Sequence, residues 1–396
     1  MKLARFTFAS PSLIAGVMSG TSLDGIDVAF VTLDGSQMSD ARIGAPALTL
    51  RSFHTEPIDS VLKSRLLDLC AGNASVRELG ALHVELGRLY ADAISRGAEA
   101  GGIEIGAIDA VGLHGQTVWH DPRRKPEGIT MQIGSGAIVA EALLTTVVDD
   151  FRSADVAAGG EGAPLVPLFD LTYLASPDRS RAVVNIGGIA NVTWLPRGVA
   201  AADVIAFDTG PGNGMIDAAM RLLHGKEYDE GGACAASGTV IPDLLMSLVA
   251  DPWLAAPPPK STGRERYGEE QGRKIAEDAV AGGAKPHDVI ATLTMFTAIT
   301  IADAIDTFCA KGEWVDDIVL CGGGALNRTL RANLEARSPG TTIISTDDLG
   351  IPADAKEAIC FAFLAWSTLC GRPGNLPSVT GASRAVVLGA VRGRRE

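Results

Sequence analysis

The 396-residue sequence predicts an α/β fold of two similar lobes around a central cleft. Three observations carry that prediction. The first is Leu13–Phe30, which reads as strand, Gly/Ser/Thr turn, strand. The second is Arg181–Trp194, which repeats the layout with Asn185, Gly187, Gly188 and Asn191 at its tip. The third is Ile318–Gly324, where a short apolar strand runs into three glycines before a helix. Two hairpin-led segments about 170 residues apart suggest an internal duplication, with lobes at 1–178 and 179–396 joined near Ala175–Asp178. The last helix is allowed to pack back on the first lobe.

The length suits two or three ordinary domains. A net charge of −13 argues against non-specific nucleic-acid or anionic-membrane binding, since both want a basic face. An anionic substrate stays open, because a local site can invert the global sign. None of the six cysteines forms CxxC or sits at zinc spacing with a histidine, so they read as buried thiols in a reducing compartment. The basic start is followed by no long apolar core, and no stretch has the ~18–20 uninterrupted apolar residues of a membrane span. The expectation is a cytoplasmic protein.

In chain order, the first tip is GVMSGTSLDGID, residues 16–27. A Gly/Ser/Thr tip can aim several N–H groups at an anion such as phosphate. Asp24 would repel a bare phosphate, so it fits best with a Mg²⁺ between them. An ordinary turn with a surface aspartate is the other reading. Ile58–Leu69 and Val76–Ala100 carry helical spacing, the second with Leu79, Leu82, Leu86, Leu89 and Ile94 on one face. Ile108–Leu113 is a short strand ending in His114, Gln116 and Thr117, a usual place for a ligand in an α/β sheet. Ser135–Leu144 is expected to be helical.

Asp149–Pro167 is a long loop rich in Asp and Gly, read as a functional loop because its apolar end should pack down, with a mobile surface loop as the other reading. Val204–Phe207 is a strand delivering Asp208 to a Gly-Pro-Gly turn before a helix. PPPKSTGRE (257–265) is either a linker or a ligand segment. His287–Phe308 and Ala355–Leu369 read as helices, the latter with Glu357 near its start.

These turns and hairpin-led lobes together resemble the actin-like ATPase superfamily with ribonuclease H-like lobes. GVMSGTSLDGID (16–27), GLHGQTVWH (112–120), DFRSADVAAGGEGAPLVP (150–167), NIGGIANVT (185–193), FDTGPGN (207–213), PPKSTGRE (258–265) and LCGGGALN (320–327) resemble the anhydro-N-acetylmuramic acid kinase family. The resemblance spans about residues 13–370. One departure is Glu161, where that family often has Gln. The resemblance implies hydrolytic opening of a 1,6-anhydro sugar with phosphorylation of O6, consuming ATP and water, in cell-wall recycling. It also makes a homodimer plausible.

Under that implication one general base suffices, because the γ-phosphoryl group takes the place of the acid's proton at the leaving oxygen. Asp208 is the expected base, with capping of the following helix as its other reading, and Asp155 is the second candidate. Gly20, Thr21, Ser22, Leu23, Asp24, Gly25, Ile26 and Asp27 form the expected phosphate tip, with Asp24, beside Asp27, as the metal ligand. Gly187 and Gly188 would face the phosphates, Gly210 and Gly322–Gly324 the nucleotide. His114, Gln116, Thr117, Asp155 and Glu357 are the expected sugar contacts, with His120 and Arg152 near a sugar carboxylate. A kinase for another sugar, and a sugar-independent ATPase that changes shape, are the alternatives.

Overall fold

In a computed structural model the chain is described over residues 10–20, 23, 25–38, 44–123 and 128–393. It divides into two compact units. The first combines residues up to Tyr173 with those from Ala355 onward, and the second is Leu174–Asp354. The sequence reading runs the second lobe to 396 and allows its last helix to pack back. In the fold the chain returns to the first unit at Ala355, because the helix that follows is buried on nearly every side and its partners lie there.

The first unit is built on a sheet of β1 (Ser12–Ser19), β2 (Gly25–Asp34), β3 (Ala47–Pro57), β4 (Ala110–Leu113), β7 (Thr146–Asp149) and β13 (Ala390–Arg392). Their order is β13-β7-β4-β1-β2-β3. β1–β2 and β2–β3 pair antiparallel, while β1–β4 and β4–β7 pair parallel. A separate hairpin of β5 (Gln116–Asp121) and β6 (Ile129–Ile133) follows β4. In the second unit the strands are β8 (Arg181–Ile186), β9 (Ile189–Leu195), β10 (Ile205–Pro211), β11 (Asp317–Cys321) and β12 (Thr342–Ser345). Their order, β10-β9-β8-β11-β12, again joins an antiparallel trio to a parallel pair. The duplicated order is that of two ribonuclease H-like units, so the class is mixed α/β.

Side chains alternate across β1, which therefore serves two layers. Ala15 and Val17 join Val28, Phe30, Leu86, Tyr90 and Ile94 in one core, against the helix Val76–Ala100. Gly16 faces the helix Lys356–Leu369 on the other side. A Cβ there would lie 1.9 Å from the Ala358 carbonyl oxygen, and one on Gly112 of β4 would lie 2.1 Å from that of Phe361. Two glycines thus let a helix backbone rest directly on the sheet. Within this helix Lys356 pairs with Asp170 at 2.7 Å, and both are buried.

The second unit packs the helices Pro286–Ala304 and Arg328–Arg337 on its sheet through Ala298, Ile301, Leu330 and Leu334. Pro286–Ala310 is long and apolar enough to cross a membrane by length and composition. Yet 78% of its apolar window is buried inside this unit, which makes it a core helix. Gly323–Leu326 is a tight 3-10 turn, and the expected helix starts only after Asn327, whose side chain accepts the Leu330 N–H.

Candidate active site

Asp208 does not sit at a strand end. It lies inside β10, opposite Asn191, with a bulge between Asp208 and Gly210. Bulges re-aim side chains, and this one needs glycine: Gly210 has φ +144° and lies against Leu254 and Thr300. Nor does Asp208 cap the following helix, whose first flanking residue is Asn213. Its Oδ2 accepts the Thr262 N–H at 2.9 Å, and its own N–H donates to the Lys260 carbonyl at 3.2 Å. The PPKSTGRE segment is therefore laid along the bulged strand rather than serving as a linker.

Burial pushes the Asp208 carboxyl up to about 6, with the Thr262 N–H and the Lys260 charge pulling the other way. Lys260 is buried. Its ammonium donates to the Leu254 carbonyl at 2.8 Å and lies 4.5 Å from the Trp253 ring centre and 4.9 Å from that of Phe308. This aromatic cage holds a cation near the acid. Sequence reading singles out the Lys-Ser-Thr run but gives Lys260 no role. The partnership with Asp208 spans about fifty residues and has no local signature.

The hairpin tip Gly187–Gly188 turns its carbonyls toward the next turn. Gly188 O accepts the N–H groups of Gly212 and Gly214, and Gly187 O accepts that of Asn213. Of the triple glycine, Gly322 and Gly324 are packing positions, whose Cβ atoms would strike Asn185 Oδ1 at 2.4 Å and Ile186 Cγ2 at 2.2 Å. Gly188 and Gly323 are open: a Cβ on Gly188 would meet nothing within 4 Å, and one on Gly323 only Asn213 Nδ2 at 3.9 Å.

In the first unit, Thr21, Ser22 and Asp24 lie outside the described residues. Ser19 shares a 2.7 Å hydrogen bond with the Tyr90 hydroxyl, which pins the base of the tip. The Leu23 and Ile26 side chains are buried in the core, so they anchor the tip and only their backbone is left to face a ligand. Gly25 packs against Thr55. Asp27 is half-buried, with Oδ1 accepting the Thr55 hydroxyl at 2.7 Å.

His114 and Gln116 are buried, and Thr117 is half-buried. His114 Nε2 accepts from Arg152 at 2.8 Å, its ring lies 4.6 Å from Phe361, and burial holds its pKa well below 6.5. It borders a pocket shared with His83, Gln132, Asp149, Asp150 and Arg392. Gln116 Oε1 has no hydrogen-bond partner among the described residues. Arg152 also donates to the Gly162 carbonyl at 2.8 Å, so it stitches the long loop to His114. His120 is exposed and bonded to Thr130.

Asp155 is fully buried. It accepts the Gly162 N–H at 2.7 Å, the Asn375 amide at 2.6 Å and the Thr380 hydroxyl at 2.7 Å. Its oxygens are committed to bracing the loop against the C-terminal segment, which differs from the expected base or sugar contact. Glu161 takes a hydrogen bond from Arg123 at 2.6 Å. Glu357 lies in the first turn of its helix, close enough to Arg152 to favour the guanidinium's charge.

Two sheets of ribonuclease H-like strand order, with a desolvated aspartate on a bulged strand of the second, are the fold plan of the actin-like class. A family model described as anhydro-N-acetylmuramic acid kinase matches residues 12–393. An anhydro-N-acetylmuramic acid kinase of Gloeobacter violaceus is 43% identical over 383 residues, covering 96% of this chain and 98% of that one. The chain belongs to the anhydro-N-acetylmuramic acid kinase family, a kinase family, and so draws its phosphoryl group from ATP. Among solved structures, component A of the Acidaminococcus fermentans (R)-2-hydroxyglutaryl-CoA dehydratase is a distant likeness. It is 13% identical with a TM-score of 0.47, over 90% of this chain and 99% of that one. The ROK hexokinase of Thermus thermophilus is 14% identical with a TM-score of 0.32, over 89% and 99%.

Proposed function

We propose that the chain opens the 1,6-anhydro ring of anhydro-N-acetylmuramic acid with water and phosphorylates the freed O6 from ATP, giving N-acetylmuramic acid 6-phosphate and ADP. The observation that carries the chemical part is Asp208. It is a half-buried carboxylate with one oxygen tethered by a backbone N–H, and burial pushes its pKa up to about 6. A carboxylate poised near neutral is a competent general base. Asp208 takes a proton from water as that water attacks C1, and the electrons of the breaking C1–O6 bond go to O6. O6 attacks the γ-phosphorus and ADP leaves. Water, sugar and ATP are thereby converted with no further reactant.

Phosphoryl transfer is mostly positioning and charge neutralisation. The Gly20–Asp27 tip is assigned to the triphosphate. Gly187 and Gly188 are assigned to the phosphates as well, and Gly210 and Gly322–Gly324 to the nucleotide. The open backbone at Gly188 and Gly323 supports this, since a ligand can lie flat on it. A Mg²⁺ would be held by Asp24 and Asp27. Asp27 fits, being a half-buried hard-oxygen ligand oriented by Thr55. The chemistry a bound Mg²⁺ supplies is neutralisation of the phosphate oxygens. His114, Gln116, Thr117 and Glu357 are assigned to the sugar. The unpaired Gln116 Oε1 supports that, because a buried acceptor wants a donor and sugar hydroxyls are donors. The reading places the enzyme in the cytoplasm as a homodimer.

The test is ADP release measured side by side with anhydro-N-acetylmuramic acid, with glucose and with no sugar. Turnover confined to the anhydro sugar is expected. Equal turnover on glucose, or without sugar, refutes the assignment.

A further inference from the structure

Away from Asp208, three side chains from separate elements of the second unit converge. His224 is the last residue of the helix Gly214–His224, Cys234 lies in the first turn of the helix Ala233–Ser237, and His287 in that of Pro286–Ala304. One ligand atom from each lies within 4.8 Å of the others. Cys234 Sγ is 3.3 Å from His224 Nε2, and the two imidazole rings are 4.7 Å apart at 70°. In a tetrahedral zinc site, bond lengths of about 2.0–2.3 Å put neighbouring ligand atoms roughly 3.3–3.6 Å apart. The Cys234–His224 pair is already at that spacing, and the His287 ligand atom lies within 4.8 Å of both.

The geometry points to a Cys/His/His site for a borderline-soft transition-metal dication, Zn²⁺ by chemical class, with its fourth position open to water. Hard Mg²⁺ is disfavoured there, since it wants oxygen ligands. His224 and Cys234 are half-buried and His287 is exposed, which leaves a route for the ion and its water.

The ligands are held in place by contacts of their own. Asp229, which is buried, accepts the N–H groups of Cys234 and Ala235 at 2.8 and 3.0 Å. Gly238 lies so close to His287 that a Cβ there would be 2.1 Å from its carbonyl oxygen. Thr239 N–H donates to Asp288 Oδ1 at 2.7 Å, and Ile241 N–H to Thr292 at 2.9 Å. The Cys234 segment is thus laced to the start of the helix that carries His287. A thiol binds such an ion as the thiolate, so one H⁺ leaves as one Zn²⁺ enters.

The site would pin together two helices that also hold the turn after Asp208. Eleven residues at about 1.5 Å each put His224 roughly 16 Å along its helix from the Asn213 turn. Thr297 of the other helix donates to the Gly212 carbonyl at 3.0 Å. The site would thus join the far end of the first helix to the start of the second, and it does not rest on the proposed sugar chemistry.

The test uses the whole chain, stripped with chelator and titrated with Co²⁺ alone, then with Zn²⁺. One equivalent of Co²⁺ is expected to produce a thiolate-to-cobalt absorption band that Zn²⁺ bleaches. The band should vanish in Cys234→Ser, and cobalt affinity should fall at least 10-fold in His287→Gln, an exposed position that tolerates change. Zn²⁺ should also raise the melting temperature of the unmodified chain by more than that of His287→Gln at the same concentration. No band in the unmodified chain, or an undiminished band in Cys234→Ser, overturns the site. So does undiminished affinity in His287→Gln.

Discussion

Replacing Asp208 with Asn should make the protein more stable and catalytically dead, and the structure sets the size of the gain. The folded chain holds this carboxyl at about 6 against an ordinary value of 3.8, a rise of about 2. At about 1.4 kcal/mol for each tenfold change in proton affinity, ionising it inside the fold costs about 3 kcal/mol at pH 7. The sign follows from proton counts. Between the two pKa values the folded state binds more protons than the unfolded one, so stability falls as pH rises from about 4 to about 6. Asn has the same shape and no charge, and its side-chain oxygen can still accept the Thr262 N–H. Losing the charge on that bond returns part of the gain, leaving about 1–3 kcal/mol. For a unit of this size that is a rise of ~2–4 °C in melting temperature per kcal/mol. The assay is thermal or denaturant unfolding of both proteins at pH 7 and pH 4. The gap should be present at pH 7 and largely closed at pH 4. A less stable variant at pH 7, or a gap that ignores pH, would falsify the claim that burial raises this group. Activity gives the companion readout. The variant should retain nucleotide binding and lose turnover by several orders of magnitude, and the unmodified enzyme should lose activity below about pH 6 as Asp208 takes up its proton.

Other outcomes follow from the same geometry. Lys356→Met should destabilise the first unit by about 3–5 kcal/mol, because it strands the Asp170 carboxylate in the core; adding Asp170→Leu should recover much of that loss in denaturant melts. Gly16→Val should abolish soluble expression or lower the melting point sharply. Its Cβ would meet a helix backbone at 1.9 Å, which cannot step aside as a side chain could. His114 should stay neutral well below the ordinary imidazole range, since burial and the Arg152 charge both disfavour its protonated form; ring-nitrogen NMR shifts that titrate near 6.5 would contradict that.

The β1–β2 hairpin and the helix Val76–Ala100 were legible because their signals are local. Alternating apolar residues, a turn composition and a 3.6-residue period all act within one segment. The duplication was legible too, because the second hairpin repeats the layout of the first. Leu23 and Ile26 show the limit of a motif. They sit in a ligand-like string, yet their side chains fill the core while the backbone shapes the tip. Asp155 shows the same limit from the other side. An acidic residue in a glycine-rich loop suggested chemistry, and its burial against Asn375 and Thr380, more than two hundred residues away, made it a brace.

Most strands and helices, the two-hairpin plan and the family membership could be read from the chain alone. Those follow from short-range periodicity and from strings of residues in order. Three-dimensional packing was needed to show that Lys260 stands by Asp208, that Gly16 and Gly112 carry a helix backbone, and that Cys234 meets two histidines. Each of these depends on desolvation or close approach between residues well separated in sequence. Such energies exist only once the fold has brought them together.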